Sequence, residues 1–415
     1  MRMAKASIVV SLAMAFWTGA TRASGVSLGQ HAIPLPYHGV TASSATSGNQ
    51  GRAIILFIGD GMGDGQRTAA RWSTGGRDGL LAMDAMPVHG WSRTASVDGP
   101  VTDSAAAATA IATGVKVKNG IISQDSENNG VTTILERAQA KSMAVGLVSN
   151  TQMAHATPAA FASHVSSRAM MTEIARQMLA QEVDVLLGGG EDEFLPVGRT
   201  GCYPQPGERS DGRDLTAEAI AAGYTYVCDP VAFAAVVPTS TTRLLGLFAD
   251  EGMTRPFSPS LTEMTQKAIA ILSQDPDGFF LMVEGGQIDG ACHANDAATV
   301  ILDTIGLDEA VSVAQAYALT RRDVLIIVTG DHETGGMTVD LSTAGSPRED
   351  GPFSMPDGTP FYVNWTTTGH TGEDVPTTGQ GLWAQLLAGT NENTHIHGVM
   401  VRALGWRVWL PLVRR

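Results

Sequence analysis

At 415 residues, with 43% hydrophobic and 16% charged side chains, the chain carries enough apolar material for one large buried core or two medium ones, and its composition excludes a disordered tail protein or a multi-span membrane protein. The formal net charge of −14 argues against a nucleic-acid partner, because a phosphate backbone is held by a basic stripe and none is visible. An acidic chain that accepts an anionic ligand needs strong local positive charge, which bound metal ions supply; bulk charge is screened beyond about 10 Å at moderate salt.

Residues 1–23 read as a signal peptide: Arg2 and Lys5 precede the apolar run Ile8–Trp17, and small residues follow at Thr18–Gly19–Ala20 and Ala23–Ser24. That predicts export, to the periplasm or outside the cell. Residues 24–50, rich in Ser, Thr, Ala and Gly without apolar periodicity, read as a flexible arm. From residue 51 a rhythm begins, which defines the predicted catalytic domain, 51–404. Short aliphatic runs at Ala53–Ile58, Ala144–Ser149, Val183–Leu187, Phe279–Val283 and Val324–Val328 alternate with helix-patterned stretches such as Met170–Gln181 and Leu261–Ser273. Buried parallel strands with helical crossovers produce this rhythm. The expected fold is therefore an α/β three-layer sandwich, a doubly wound and mostly parallel sheet with helices on both faces.

Cys202 and Cys228 flank a Pro/Gly/Asp-rich stretch and can pair in an oxidising compartment, which leaves Cys292 as a single, buried structural thiol. Residues 340–366 break the rhythm with Pro, Gly, Ser and Thr and read as a surface excursion within the domain. The tail 405–415 is apolar and basic, a pattern compatible with packing on the body, disorder or a weak membrane-surface contact.

The acids and histidines fall at telling positions. Asp60 follows the first apolar run, Glu284 and Asp289 follow Phe279–Val283, and Asp331–His332 follow Val324–Val328. In an open α/β sheet the carboxyl ends of the strands are where ligands bind, so these residues should converge on one crevice. A single Asp at a strand end is usually a helix cap or a solvated turn residue. As a set the acids repel one another unless cations compensate, and the spacing of Asp289 to His293, the adjacent Asp331 and His332, and His370 in Thr368–Gly–His–Thr–Gly372 suit metal ligation. Mixed His and Asp ligands suit zinc, and an all-oxygen set such as Asp60 and Glu284 suits magnesium. Ser104 opens the strongly helix-forming run Ala105–Ala112, where unpaired N–H groups and the helix dipole favour negative charge. The plain alternative is that Asp103 or Ser104 only caps that helix; a metal beside the hydroxyl tips the reading toward a nucleophile.

Gly59–Asp60–Gly–Met–Gly63, Thr102–Asp–Ser–Ala–Ala106, Ala156–Thr–Pro–Ala–Ala160, Val283–Glu–Gly–Gly–Gln–Ile–Asp289 with His293, Thr329–Gly–Asp–His332 and Gly369–His–Thr–Gly372 together resemble the alkaline phosphatases, in that family's order. The resemblance implies hydrolysis of small phosphate monoesters through a phosphoserine at Ser104, and a homodimer. It implies two zinc ions, one on Asp289, His293 and His370 and a second on Asp60, Asp331 and His332. It also implies one magnesium, sharing Asp60 and taking Glu284 and Thr157, with His155 beside it where one bacterial branch has an aspartate. Arg168 matches the family's substrate-phosphate arginine, whose planar fork suits two phosphate oxygens at once, and Asp103 stands with it and Ser104 in the substrate-binding set. Gly290 departs from the Lys, His or Trp often found at its place.

Overall fold

Ala53–Gly59 (β1) has no charged or hydrogen-bonding side chain, and all seven residues are buried. A strand apolar on both faces needs cover on both, and crossover helices provide it. The computed structural model, which describes residues 52–341 and 348–406, places β1 inside a ten-stranded sheet. Its other early strands are Val88–Arg93 (β2), Ala144–Gln152 (β3), Val185–Gly189 (β4), Thr225–Val227 (β5), Leu244–Leu247 (β6), Phe279–Gly285 (β7) and Val324–Gly330 (β8). The run β8-β1-β7-β3-β4-β6-β5 is parallel throughout. Beyond β8 lie Val375–Gly381, antiparallel to both β8 and β2, then β2 itself, then Gly389–Glu392 parallel to β2.

Side chains alternate across the sheet, as the pleat requires. Ile55, Phe57, Leu281, Val283, Ile326 and Val328 pack with the helices Asp64–Gly75, Leu261–Leu272 and Ala297–Ala318. Ile54, Leu56, Ile58, Phe280, Met282 and Ile327 pack on the other face with Ser104–Thr113, Ile134–Gln139, Ala156–Ala162 and Thr394–Ala403. Burying each such Ile, Leu or Phe contributes about 1.5–3 kcal/mol, so the central strands are held rigidly in register. That register sets the site: Ile58 pairs with Glu284, and Gly59 pairs with Gly285 on one side and Gly330 on the other. Asp60 and Asp331 are the next residues along.

The fold is the expected mostly parallel α/β sandwich. All five predicted strands are present, β4 running from Val185 to Gly189. The strands that the pattern did not single out are polar or glycine-rich, such as Val–His–Gly–Trp–Ser–Arg in β2 and Val–Pro–Thr–Thr–Gly–Gln–Gly in Val375–Gly381. Their pairing is decided by neighbouring strands and not by their own apolar content. Within 340–366, the strands Asp350–Ser354 and Pro360–Asn364 join Thr338–Leu341 in a small antiparallel sheet, and the fully buried Phe361 meets Trp72 edge-on at 5.7 Å. Cys202 and Cys228 are disulfide-bonded, and Cys292 is buried with its Sγ accepting from Gln66 Nε2. The predicted signal peptide, the arm to residue 50 and the tail beyond Trp406 lie outside the described residues. Among those described, no helix is long and apolar enough to cross a membrane.

Candidate active site and metal centre

The carboxyl ends of β1, β7 and β8 deliver Asp60, Glu284 and Asp331, all fully buried, to one pit. The helix Gln287–His293 follows β7 and brings Asp289 and His293 one turn apart; His370 arrives from a two-stranded ribbon with Glu333–Thr334. Ser104 is the first residue of its helix, 2% exposed, with Asp103 as the cap whose Oδ1 accepts from Ala106 N at 2.9 Å. The Ser104 hydroxyl lies 3.4 Å from Asp60 Oδ1 and 3.4 Å from His332 Nε2.

Three imidazoles turn the same nitrogen inward. His293 Nδ1 is 2.6 Å from the Thr368 carbonyl and His370 Nδ1 is 2.8 Å from the Thr102 carbonyl. A carbonyl only accepts, so both Nδ1 atoms carry the proton and both Nε2 atoms offer lone pairs. Those two Nε2 atoms face each other at 3.3 Å, with Asp289 oxygens 3.1 Å from His293 and 3.7 Å from His370. Two lone pairs and an anion converge stably only around a cation. A proton can stand in: Asp289 raises His293 to about 9, by hydrogen bonding first.

Thr334, which no sequence pattern marked, governs the third imidazole. Its hydroxyl donates to Asp289 Oδ1 at 2.6 Å, so toward His332 Nδ1, 3.2 Å away, it can only accept. His332 therefore protonates at Nδ1 and turns its Nε2 lone pair on Asp60 at 3.4 Å and Asp331 Oδ2 at 3.3 Å. Burial holds the His332 pKa down, with the stacked His370 adding to the effect. Asp331 Oδ1 accepts from the backbone of Gly61 and His332, while its Oδ2 is buried without a hydrogen-bond partner. Ligand atoms of Asp60, Asp289 and His332 fall within 4.8 Å of one another, so Asp289 borders both groups. Gly61 must be glycine: at φ +70° a Cβ would lie 2.8 Å from Asp289 Oδ1.

A third cluster is made of oxygens. Asp60 Oδ2, Glu284 Oε1 and Thr157 Oγ1 are all buried without partners, and Asp60, His155 and Glu284 offer atoms within 4.8 Å of one another. Glu284 Oε2 is held by the Ser149 and Thr151 hydroxyls, two further residues without a sequence signal. Burial pushes Glu284 up to about 7 and raises Asp60 well above the carboxylate range, Asp331 and the other acids adding repulsion. Asp289 is the exception. Burial acts to raise it, but the His293 bond and the His332 and Thr334 contacts hold it below the ordinary carboxylate range. Orphaned buried oxygens and inward lone pairs fit divalent cations at all three clusters.

His155 differs from the other histidines. Its Nε2 is 2.9 Å from Arg168 Nη2, which can only donate, so its proton is on Nδ1, which is buried and unpartnered. Burial and Arg168 lower its pKa to about 4, so it stays neutral. Arg168 Nη1 donates to Asp103 Oδ2 at 3.1 Å, fixing the guanidinium plane beside the Ser104 helix. Gly290, next to Asp289, is exposed and has open space where a side chain would sit.

A family model described as alkaline phosphatase matches residues 51–349, which stops before His370. Alkaline phosphatase 3 of Bacillus subtilis is 31% identical and the match spans 89% of this chain and 92% of the relative; streptomycin-6-phosphate phosphatase of Streptomyces griseus is 34% identical over 88% and 93%. Among solved structures, the alkaline phosphatase of the Antarctic bacterium TAB5 superposes with a TM-score of 0.75 at 30% identity, covering 87% of this chain and 99% of that one. A variant of that enzyme, with a histidine replaced by aspartate, is described with magnesium bound in a site called M3; it superposes with a TM-score of 0.74 at 29% identity, over the same shares.

Proposed function

Because this chain belongs to the alkaline phosphatase family and is a phosphomonoesterase by that membership, we propose that it cleaves small phosphate monoesters to alcohol and inorganic phosphate through a phosphoserine at Ser104. The observation that carries the reading is the Ser104 hydroxyl set between Asp60 and His332, in a pit where Asp60 Oδ2, Glu284 Oε1 and Asp331 Oδ2 are buried without hydrogen-bond partners. The family is metal dependent, and the donor sets suit two zinc ions, held by Asp289, His293 and His370 and by Asp60, Asp331 and His332, and one magnesium held by Asp60, Glu284 and Thr157 with His155 at its border. When bound, such ions neutralise the carboxylates, lower the pKa of an oxygen beside them and stabilise a departing alkoxide.

The protein's own groups do the rest. Arg168, its plane fixed by Asp103 and His155, presents two N–H groups to two phosphoryl oxygens, and the start of the Ser104 helix favours the same negative charge. Ser104 attacks phosphorus, the ester P–O bond breaks in line, and the serine proton ends on the departing alkoxide, giving the alcohol and the serine ester. Water then attacks phosphorus from the vacated side, releasing phosphate and returning the proton to Ser104. Gly290, with open space where a side chain would sit, offers no side-chain contact toward the phosphate. Export through the N-terminal signal to the periplasm or beyond, and a homodimer, complete the proposal.

The experiment is a Ser104→Ala variant. Phosphoenzyme trapped at low pH from p-nitrophenyl phosphate should disappear while metal content stays near normal; unchanged turnover would reject the serine route. Preference for that monoester over bis(p-nitrophenyl) phosphate is expected, and the reverse would favour a diesterase on the same scaffold.

A further inference from the structure

Building on the reading of Arg168 as the group that meets the phosphoryl oxygens, we propose that Asn119 is a positioning residue for it: with Gly120 it forms a surface turn that holds both ends of Arg168 against the start of the Ser104 helix. Lys118 to Ile121 close as a turn, the Ile121 N–H donating to the Lys118 carbonyl at 3.2 Å. Gly120 sits third in it, at φ +84°, the left-handed position that a type II turn reserves for glycine or asparagine. Both polar groups of Gly120 are used. Its N–H donates to Asp103 Oδ2 at 3.0 Å, and its carbonyl accepts from the Arg168 N–H at 2.8 Å. Asp103 Oδ2 also accepts from Arg168 Nη1 at 3.1 Å, which closes a ring. The backbone end of Arg168 is tied to Gly120 directly, and its guanidinium is tied to the same residue through Asp103. An arginine anchored only at its root samples many rotamers; one anchored at both ends keeps its fork aimed.

Asn119 fixes that turn to the segment carrying the nucleophile. Its Oδ1 accepts from the Asp103 N–H at 3.1 Å, its Nδ2 donates to the Val101 carbonyl at 3.2 Å, and its own N–H donates to Asp98 Oδ1 at 3.1 Å. Asp103 immediately precedes Ser104 and caps its helix, so this one side chain sets the distance between the turn and the nucleophile. Thr102 lies between the two backbone groups that Asn119 grips, and its carbonyl is the acceptor for His370 Nδ1. The strip continues beyond the turn. Ile122 pairs with Val165, just before Arg168, and the Ser123 N–H donates to Thr109 Oγ1 in the Ser104 helix. The Asn119 side chain is exposed, so replacing it takes nothing from the core; what it contributes is geometry.

The test uses the full enzyme loaded with zinc and magnesium, and reads KM for p-nitrophenyl phosphate and the inhibition constant of inorganic phosphate. Asn119→Ala should raise both by about three- to tenfold and leave kcat within about twofold, the pattern of lost binding shared by ground and transition states. A purely structural role would lower the thermal midpoint or the active fraction without moving either constant, and that result would overturn the proposal. Gly120→Val should raise both constants, and Gly120→Asn should restore them, because asparagine tolerates the left-handed conformation and valine does not; if Gly120→Val fails to fold, Asn119→Ala decides alone. In an Arg168→Ala background, Asn119→Ala should shift phosphate inhibition by less than about twofold, since the guanidinium it positions is gone. An equal shift with and without Arg168 would overturn the proposal. If Arg168→Ala itself leaves phosphate inhibition unchanged, the phosphate role of Arg168 fails and the positioning with it; if only Asn119→Ala is silent, the positioning alone fails.

Discussion

Removing the metals should make the protein's stability depend on Glu284 in a way that can be worked out beforehand. Without cations, burial holds the Glu284 pKa at about 7 against an ordinary 4.5. A folded pKa above the unfolded one means that the group contributes stability fully below about pH 4.5, and that this contribution is lost as pH rises through about 7. The difference of about 2.5 pH units, at about 1.36 kcal/mol each, is about 3 kcal/mol. Asp60, also raised, acts with the same sign. His293, raised to about 9, also loses part of its contribution between pH 6.5 and 7.5, while Asp289, lowered, has gained its own by about pH 4; both are common to wild type and variant and cancel in the comparison. The assay is urea unfolding at pH 5 and pH 7.5 of chelated wild type and chelated Glu284→Gln, which has no proton to release there. Of the total of about 3 kcal/mol, about 2.5 kcal/mol falls between pH 5 and pH 7.5, and chelated wild type should lose that much more than the variant between the two pH values. With metals restored the order should invert, because glutamine is a poorer ligand for a hard cation. Parallel pH profiles for the two chelated proteins would refute the reasoning.

Thr334→Val should lower zinc affinity by about 10–100-fold, since Asp289 loses a donor and His332 loses the partner that sets its tautomer; Thr334→Ser should restore it, and chelator competition reads both. Arg168→Lys should reduce kcat/KM on a monoester by about 10–100-fold, the value of one charge-assisted bond at about 1.5–3 kcal/mol; steady-state kinetics at fixed metal load checks it, and an unchanged value would remove Arg168 from the phosphate site. His155→Asp should tighten magnesium binding, because a carboxylate replaces a neutral ring whose lone pair is occupied by Arg168. Calorimetric titration of magnesium measures this, and weaker binding in the variant would contradict it.

Much of the site could be read along the chain because its local rules are strong. An uninterrupted apolar run such as Ala53–Ile58 can only be a strand covered on both faces, so the acid that follows it must sit at the sheet's rim. The alanine run after Ser104 can hardly be anything but helix, which puts the hydroxyl at a positive dipole end. These are decisions made within about ten residues. Thr334, Ser149, Thr151 and the proton state of His155 carried no signal. A threonine or serine hydroxyl acquires its meaning from the atom opposite, and those atoms lie up to 135 residues away, as for Ser149 and Glu284.

By itself, then, the amino-acid order determined which residues stand at strand ends and helix starts, because propensity and burial act over short stretches. Only the tertiary structure decided that they meet. The pairing of Gly59 with Gly285 and Gly330 brings Asp60 and Asp331 level with each other, two residues beyond Glu284, and the fold of the later chain carries His370 to His293 across 77 residues. The physical reason is that charge repulsion, lone-pair direction and the trapped protons of a metal centre depend on distances of a few ångströms, and such distances exist only once the sheet has closed its register.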